Sequence, residues 1–507
     1  MGKLTKWLRW LDDNLIKILL VGYIFIIPLY PKFPIRIVSY TYIAIRMEDF
    51  YVAFLFLVFL IQLLRKKITL KKEFLFLFFS FWGAIFLSFL TGAFLQKTII
   101  LKHLGFLHTA RRFEYMAVFF IAASTINSKK NFFTYLKIIL VVLFLVLAYG
   151  IGQKVFGFPA IQTMNPEYAR GHLLFLTPEA RISSTFAGHY DLAAYIVFLI
   201  PIILGLFFYK KNIVYFLVFV LALLVLNLTA SRSSFISYAV SSIAFLIFLK
   251  KPKFLILVVF LTVGMMYLSK NMSSRLFKTI QIKQIFINQK TGQVIVPERI
   301  STKELPAGTF YVKIDKDIGK TEAEKKDEQA LVIEKILSEA REDASKKGKK
   351  LTSTEEAGII ASASTSFKPV NTVVSDISFA TRLQVEWPRA IKAFFKNPLL
   401  GSGPSSITEA TDNDYLRWLG EFGLLGTGIF LFILFGIAKK VWLFIGHKEL
   451  SGVKLVYAGF LFGFVALLIN ASYIDVFEAS KVAYTFWFVS GLFIGSLNFY
   501  KTKSQSL

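Results

Sequence analysis

The chain contains no cysteine among its 507 residues. Disulfide bonds, thiolate metal sites and a cysteine nucleophile are therefore excluded, although this absence says nothing about the cellular compartment. Acidic residues are also scarce, because 32 Asp and Glu stand against 59 Lys and Arg and leave a formal charge of +27. The basic residues form short clusters between apolar blocks, so we expect anionic membrane lipids as partners and no nucleic acid.

The apolar content is too high for a chain whose whole surface meets water. Hydrophobic residues make up 55% of the sequence, and 55 residues are Phe. They lie in blocks of about 15 to 25 residues, the length a helix needs to cross about 30 Å of hydrocarbon. The first block, 15–30, is followed by Pro31-Lys-Phe-Pro34 and by no small-residue cleavage site, which predicts a retained span and no signal peptide. The predicted fold class is an all-α polytopic membrane protein.

About twelve membrane spans are predicted. Their approximate bounds are 15–30, 50–64, 73–95, 114–127, 133–153, 190–209, 213–230, 234–249, 254–268, 420–438, 453–470 and 482–499. Every second connection is rich in Lys and Arg, and the basic side of a membrane protein faces the cytoplasm. We therefore expect a protein of the cytoplasmic (inner) membrane with both termini in the cytoplasm.

Two outer connections are long. They divide the chain into an N-terminal membrane region, 1–268, with an outer loop at 154–189, a large extracytoplasmic loop, 269–419, and a C-terminal membrane region, 420–507. Within the large loop, an alternating pattern around 284–296 predicts a hairpin, 309–314 a further strand, 322–346 a helix, and Ser353 to Glu356 the capping box of another helix. A small α+β accessory domain is therefore predicted at about 280–365, followed by a stretch at 376–419 that carries polar motifs.

Four polar clusters fall on the predicted outer side. Arg181 is followed by Ser, Thr and the start of a span, and Arg232 lies in a Thr-Ala-Ser-Arg-Ser turn, so each arginine fits either an anion site or an ordinary helix end. Arg382 belongs to a stretch that also suits membrane docking. Asp412 and Asp414 flank an Asn, where they can serve as a base, hold a metal or complement a helix dipole.

The order of these motifs resembles the O-antigen ligase and O-antigen polymerase superfamily of bacterial envelope glycosyltransferases. The resemblance is carried by the two arginine motifs, by Asn397-Pro-Leu-Leu-Gly-Ser-Gly403, by Asp412-Asn-Asp-Tyr-Leu416 and by Gly420-Glu-Phe-Gly-Leu-Leu-Gly426. Pro28 to Pro34 and Arg46-Met-Glu-Asp49 are also similar to its members. The resemblance covers about 28–485 without the inserted domain.

The resemblance implies an inverting transferase that moves a glycan from a polyprenyl diphosphate carrier, such as undecaprenyl diphosphate, to a glycan or lipid acceptor during cell-surface polysaccharide synthesis, as for lipopolysaccharide. Arg181 and Arg232 match the family's basic positions, and Arg382 is a third candidate ligand for the diphosphate. Ligases of the family place a His where this chain has Asp412, so Asp412 or Asp414 is the candidate catalytic base. No metal and no cofactor are expected.

One basic outer segment and two other function classes remain open. Lys102, Arg111 and Arg112, with His103 and His108, lie on the side that usually lacks positive charge, and we interpret them as a cationic vestibule for the diphosphate. A polymerase of the same superfamily would carry the same motifs. A transporter or flippase of lipid-linked glycans would share the helices and the cationic face, whereas a scaffold would need no clusters of Arg and Asp.

The predicted orientation can be tested directly because the chain has no native cysteine. A single cysteine at Ser345→Cys, in the large loop, should react with a membrane-impermeant maleimide in intact spheroplasts. The control Lys130→Cys, in a basic connection, should react only after the membrane is opened. Reaction of S345C only after permeabilisation would place the loop in the cytoplasm and overturn both the orientation and the enzymatic interpretation.

Overall fold

The computed structural model describes residues 3–38, 44–163, 170–177, 180–268, 280–288, 294–295, 322–346, 350–375, 381–407, 410–446 and 450–500. Two compact units are present. The first comprises residues 1–273 and 389–507, and the second comprises residues 274–388. Each is described separately below.

Helices dominate the first unit. They are α1 (Lys3–Leu29), α2 (Met47–Leu64), α3 (Leu75–Leu90), which continues as a π-helical turn (Thr91–Leu95), α4 (Lys102–Thr125), α5 (Lys129–Val155), α6 (His189–Lys210), α7 (Ile213–Leu228), α8 (Arg232–Phe248) and α9 (Pro252–Leu268), then α13 (Asp414–Ile445), α14 (Lys454–Ala471) and α15 (Ser480–Ser496). A short antiparallel pair, β1 (Pro34–Ile37) and β2 (Ala44–Arg46), precedes α2.

Each predicted span coincides with one of these helices. Seven are long and apolar enough to cross a membrane, namely α2, α3 with its π-helical turn, α5, α6, α13, α14 and α15. Helices α7, α8 and α9 are apolar but have only 16 or 17 residues, and α1 and α4 carry several charges in their N-terminal parts. The protein is therefore a multi-pass membrane protein, and twelve crossings stay a prediction.

The start of α4 differs from the predicted outer segment. Span four is predicted at 114–127, but the helix begins at Lys102 and includes the basic residues taken as a loop. Leu104, His108, Arg111 and Tyr115 recur at helical spacing and are buried. The hydropathy pattern misses this part because the helix buries polar side chains against protein and not against lipid.

Two helix pairs pack at backbone distance. Gly459 and Gly463 of α14 lie against the carbonyls of Pro201 and Phe198 in α6, where a Cβ would collide. Gly491 and Gly495 of α15 lie in the same way against Phe119 and Ala123 of α4. Both pairs of glycines have the G-x-x-x-G spacing that lets membrane helices approach closely, so the two pairs are held by main-chain contact.

A break divides α13 at Gly423, whose φ of 61° and ψ of −164° are open essentially to glycine alone. The Asn-Pro-Leu-Leu-Gly-Ser-Gly turn, 397–403, fills the break. Ser402 N–H and Gly403 N–H donate to the carbonyls of Gly420 and Glu421, and Leu424 N–H and Leu425 N–H donate to those of Pro398 and Leu399. Two sequence motifs thus form one backbone-to-backbone joint.

The second unit contains β3 (Ile280–Asn288), β4 (Val294–Ile295), α10 (Glu322–Lys346), α11 (Ser353–Ser366), β5 (Phe367–Ser375) and a π-helical segment (Arg382–Glu386), and α12 (Trp387–Lys396) begins at its end. The strands form an antiparallel sheet in the order β4-β3-β5. The predicted hairpin and the helix at 322–346 are confirmed, whereas the predicted strand at 309–314 lies outside the described residues. The unit overlaps the predicted accessory domain, whose independence stays a prediction.

The capping box of α11 lies one residue earlier than predicted. Thr352 N–H donates to Glu355 Oε2 at 2.9 Å, and Glu355 N–H donates back to Thr352 Oγ1 at 3.4 Å. Glu356, the predicted partner, instead accepts from Arg341 at 2.6 and 3.0 Å. Glu356, which the sequence spacing assigned to the cap, therefore forms an ion pair with the neighbouring helix α10 instead.

Replacement of Gly423 should destabilise the first unit. In Gly423→Ala the new Cβ would lie 2.5 Å from the backbone of Leu399 and Gly401, at a φ that alanine avoids. We expect a cost of roughly 2–4 kcal/mol, seen as a lower Tm in detergent. Gly428→Ala, in the same helix with nothing within 4 Å of the new Cβ, is the matched control. Equal melting of the two variants would contradict the joint.

Candidate functional site

A cavity of about 350 Å³ lies in the first unit. Its wall is built from the connection after α1, from β2, from the first turns of α4, from the start of α6, from the start of α13 and from the connection between α14 and α15. The ionisable lining side chains are Lys32, Arg46, His108, Arg111, Asp191, Asp412, Arg417, Asp475 and Glu478. The charge pattern predicts that all these helix ends lie on the extracytoplasmic side of the membrane. The ionisable lining side chains are therefore gathered at the predicted outer ends of the helices.

The acidic wall is organised by Asp475. Its Oδ2 accepts hydrogen bonds from the N–H of Thr411 and Asp412 at 2.9 and 3.1 Å, and its Oδ1 accepts from Asn413 N–H at 3.0 Å. Arg417 Nη1 also donates to Oδ2 at 3.0 Å. Asp412 adopts a left-handed conformation with φ of 50°. Asp475 therefore fixes the backbone from which the Asp412 side chain lines the cavity.

The second aspartate of the Asp-Asn-Asp motif lies elsewhere. Asp414 is completely buried, its Oδ2 accepts from Phe477 N–H at 3.1 Å, and it is not among the cavity-lining residues. Asn413 between them caps α13 by accepting from Leu416 N–H at 3.0 Å. The two carboxylates thus face different surroundings, and they do not form the paired oxygen ligands that a chelated metal requires.

A cationic wall is supplied by the N-terminal part of the chain. Lys32 donates to Glu48 at 2.9 Å, and burial lowers the pKa of Lys32 while the Glu48 carboxylate opposes that shift. Arg111 donates to the Ala44 carbonyl at 2.9 Å and to the Tyr115 hydroxyl at 3.2 Å. Three cations from this part of the chain, counting the buried Arg46, therefore line the cavity beside the acidic wall.

A buried ion network supports the cavity from behind. Arg112 donates to Glu421 and to Glu478, both at 2.6 Å, and its guanidinium lies 4.5 Å from the centre of the Phe422 ring. Arg417 lies 3.5 Å from Glu421 as well as 3.0 Å from Asp475. The network joins α4, α13 and the connection before α15, so it holds together the elements that form the wall.

The two arginine motifs lie against each other. Ile182 N–H donates to the Leu228 carbonyl at 3.5 Å, which places the segment of Arg181 next to the turn of Arg232. Arg181 is within hydrogen-bonding distance of His189, the first residue of α6. Neither arginine is among the residues that line the cavity.

The hydroxyl groups of these motifs bond inside the protein. Ser184 donates to the Val146 carbonyl at 2.7 Å, Thr185 donates to the Pro28 carbonyl at 2.5 Å, and Ser234 donates to Asn470 at 3.3 Å. Their pattern in the sequence suggested an oxyanion receptor. In the structure they join the start of α6 and the start of α8 to neighbouring elements.

Residues 217–431 match the family model of the O-antigen ligases. This part of the chain is similar to the O-antigen ligases. No curated protein and no solved structure matches the chain. The match confirms the resemblance of the sequence motifs, and Arg232, Asp412 and Glu421 all lie within the O-antigen ligase region.

The remaining predicted site residues are spread over both units. Arg382 begins the π-helical segment of the second unit and is buried. Lys102 is exposed at the start of α4, where its ammonium lies 4.5 Å from the centre of the Phe94 ring. Arg112 belongs to the buried ion network. Of the three vestibule residues, Arg111 lines the cavity and the other two do not.

Several cavity residues were not predicted as site residues. Lys32 and Arg46 lie in segments quoted for the family resemblance, and Asp191 closes the first arginine motif. Asp475 and Glu478 lie in the short connection between α14 and α15. Two acids in so short an outer connection were the available signal, whereas the partners of Asp475, 58 to 64 residues away, were invisible to local patterns. Glu478 also meets Arg112, 366 residues away.

Loss of Asp475 should collapse the acidic wall. Its side chain is 11% exposed, so Asp475→Ala leaves three N–H groups without their acceptor in a poorly hydrated place and removes one of the two carboxylates beside Arg417. We expect a loss of about 3–5 kcal/mol of stability, with a smaller loss for Asp475→Asn, measured by thermal unfolding in detergent. Asp343→Ala, on an exposed position of α10, is the control. Unchanged unfolding of D475A would refute the role of Asp475.

Proposed function

We propose that this protein is a membrane glycosyltransferase that moves a glycan from a polyprenyl diphosphate carrier to an acceptor hydroxyl at the outer face of the cytoplasmic membrane. The proposal is carried by one observation, a cavity that combines a cationic wall with the Asp412 carboxylate at the predicted outer ends of the helices. The O-antigen ligase match supports the same chemistry. The acceptor is a glycan or a lipid, in ligase or polymerase fashion.

The reaction makes one bond and breaks one at the anomeric carbon, and it also transfers the acceptor proton to a base. The acceptor oxygen attacks the anomeric carbon, and the bond from that carbon to the diphosphate oxygen breaks with its electron pair. Polyprenyl diphosphate leaves as an anion, and the acceptor hydroxyl loses its proton. The site must therefore supply cations where the diphosphate gains charge and a base beside the attacking oxygen.

Arg111 is the arginine best placed to stabilise the leaving group. It lines the cavity and makes no bidentate ion pair with a carboxylate of the described residues, so its guanidinium group can serve an incoming anion. Arg181, Arg232 and Arg382 remain proposed diphosphate ligands on the family resemblance. Because guanidinium groups supply the positive charge, the proposed mechanism needs no metal.

Asp412 is the proposed base. It replaces the His of the ligases, lines the cavity, and is held by the backbone contacts of Asp475. Asp414, the other candidate, accepts a backbone hydrogen bond away from the cavity. We therefore favour Asp412 as the group that receives the acceptor proton.

Reconstituted protein should release polyprenyl diphosphate from a polyprenyl-diphosphate-linked oligosaccharide when the glycolipid fraction of the source cell envelope is added as acceptor. Asp412→Asn and Arg111→Gln should each lower turnover by roughly 100-fold or more, since each removes a group acting in the transition state. The matched controls Asp13→Asn and Arg9→Gln, in the N-terminal half of α1, should remain active. Movement of intact lipid-linked glycan without cleavage would instead identify a transporter.

A further inference from the structure

Asp191, in the first turn of α6, has a carboxylate that no hydrogen bond from the described residues engages. It lines the cavity. Its charged neighbours are Lys32, Lys481 and Arg46, which attract it electrostatically. A carboxylate facing a cavity with its lone pairs open is prepared to accept hydrogen bonds from something that enters.

The two lysines balance the charge of Asp191 but bond elsewhere. Lys481 donates to the carbonyls of Pro28, Tyr30 and Thr185 at 3.0, 2.7 and 2.6 Å, which occupies all three ammonium protons. Lys32 donates to Glu48 and to Ser480. The carboxylate is therefore attracted by cations that bond elsewhere, and its hydrogen-bonding capacity is left for a ligand.

Arg46 provides the complementary donor. Its side chain is only 4% exposed, it lines the same cavity, and its Nε has no partner among the described residues. A buried N–H without an acceptor costs free energy that a ligand oxygen can recover. One strong acceptor and one unsatisfied donor thus line the same cavity.

This combination selects the chemistry of the ligand. A phosphate group would be repelled by Asp191, and a metal ion would meet three cations around a single carboxylate. Sugar hydroxyl groups both donate and accept hydrogen bonds, so one hydroxyl can donate to Asp191 while a neighbouring hydroxyl accepts from Arg46.

We propose that Asp191 and Arg46 form a carbohydrate subsite that binds hydroxyl groups of a substrate sugar. This subsite is distinct from the position at which Arg111 would bind the diphosphate. The subsite rests on the proposed glycosyl transfer for its purpose. Its ligand class, a neutral hydroxylated sugar, follows from the side chains themselves. The sugar comes from the donor or from the acceptor, and separate probes distinguish the two.

Binding to the full-length protein in detergent tests the subsite with three probes. The first is a polyprenyl diphosphate that carries a neutral disaccharide, the second is the same lipid diphosphate without sugar, and the third is the free disaccharide. Asp191→Asn and Arg46→Gln should each weaken binding of a sugar-bearing probe by roughly tenfold or more, because each removes a hydrogen bond to a charged group. D191N should bind the sugar-free lipid as the wild type does.

The probes and controls separate the outcomes. Weaker binding of the disaccharide lipid alone assigns the subsite to the donor sugar, and weaker binding of the free disaccharide assigns it to the acceptor. Asp13→Asn is the matched control, and Asp191→Ser with an unchanged Tm guards against misfolding.

Three results would overturn the subsite. The first is that the wild type binds the lipid diphosphate equally well with and without the sugar. The second is that D191N binds the sugar-bearing probes as tightly as the wild type, and the third is that D191N loses as much affinity for the sugar-free lipid as for the disaccharide lipid. The proposed function fails in a different way, when the wild type binds the disaccharide lipid but never releases polyprenyl diphosphate. An active wild type whose sugar binding ignores Asp191 would leave the function standing and remove the subsite.

Discussion

Four hydrogen bonds converge on the Asp475 carboxylate, three from consecutive backbone N–H groups and one from Arg417. In a poorly hydrated setting each of these partners would be costly to leave unpaired. Arg417 extends the set to Glu421, and Glu421 extends it to Arg112 and so to α4. The position of the acidic wall therefore depends on pairing between parts of the chain that are far apart in sequence.

The cavity is also larger than the region that the family model recognises. Residues 217–431 contribute Ala410, Asp412 and Arg417 to its lining, whereas the cationic wall, Asp191 and Asp475 come from outside that region. The matched region supplies the proposed base, and the flanking helices supply most of the charge around it. Differences between members of such a family in acceptor or sugar would then be expected to reside in the flanking elements, where Asp191 and Arg46 lie.

Much of the fold could be predicted from sequence because long apolar blocks have few alternatives to a membrane helix. The start of α4 could not, since its polar side chains are buried by protein contacts that hydropathy does not register. Among the residues that line the cavity, Asp412 was predicted from its sequence motif and Arg111 from the unexpected positive charge of its outer segment. Lys32, Arg46 and Asp475 were not, because a single charged residue in a short connection acquires meaning only from partners brought to it by the fold.

The two glycine-lined helix pairs bear on how the proposed lipid-linked substrate would reach the cavity. Helices α6 and α14 touch main chain to main chain, as do α4 and α15, so neither pair can spread without losing its packing entirely. Asp191 rides on one pair and Arg111 on the other. Each pair would move as one rigid body, so any widening of the cavity would occur between the pairs and would change the distance between Asp191 and Arg111.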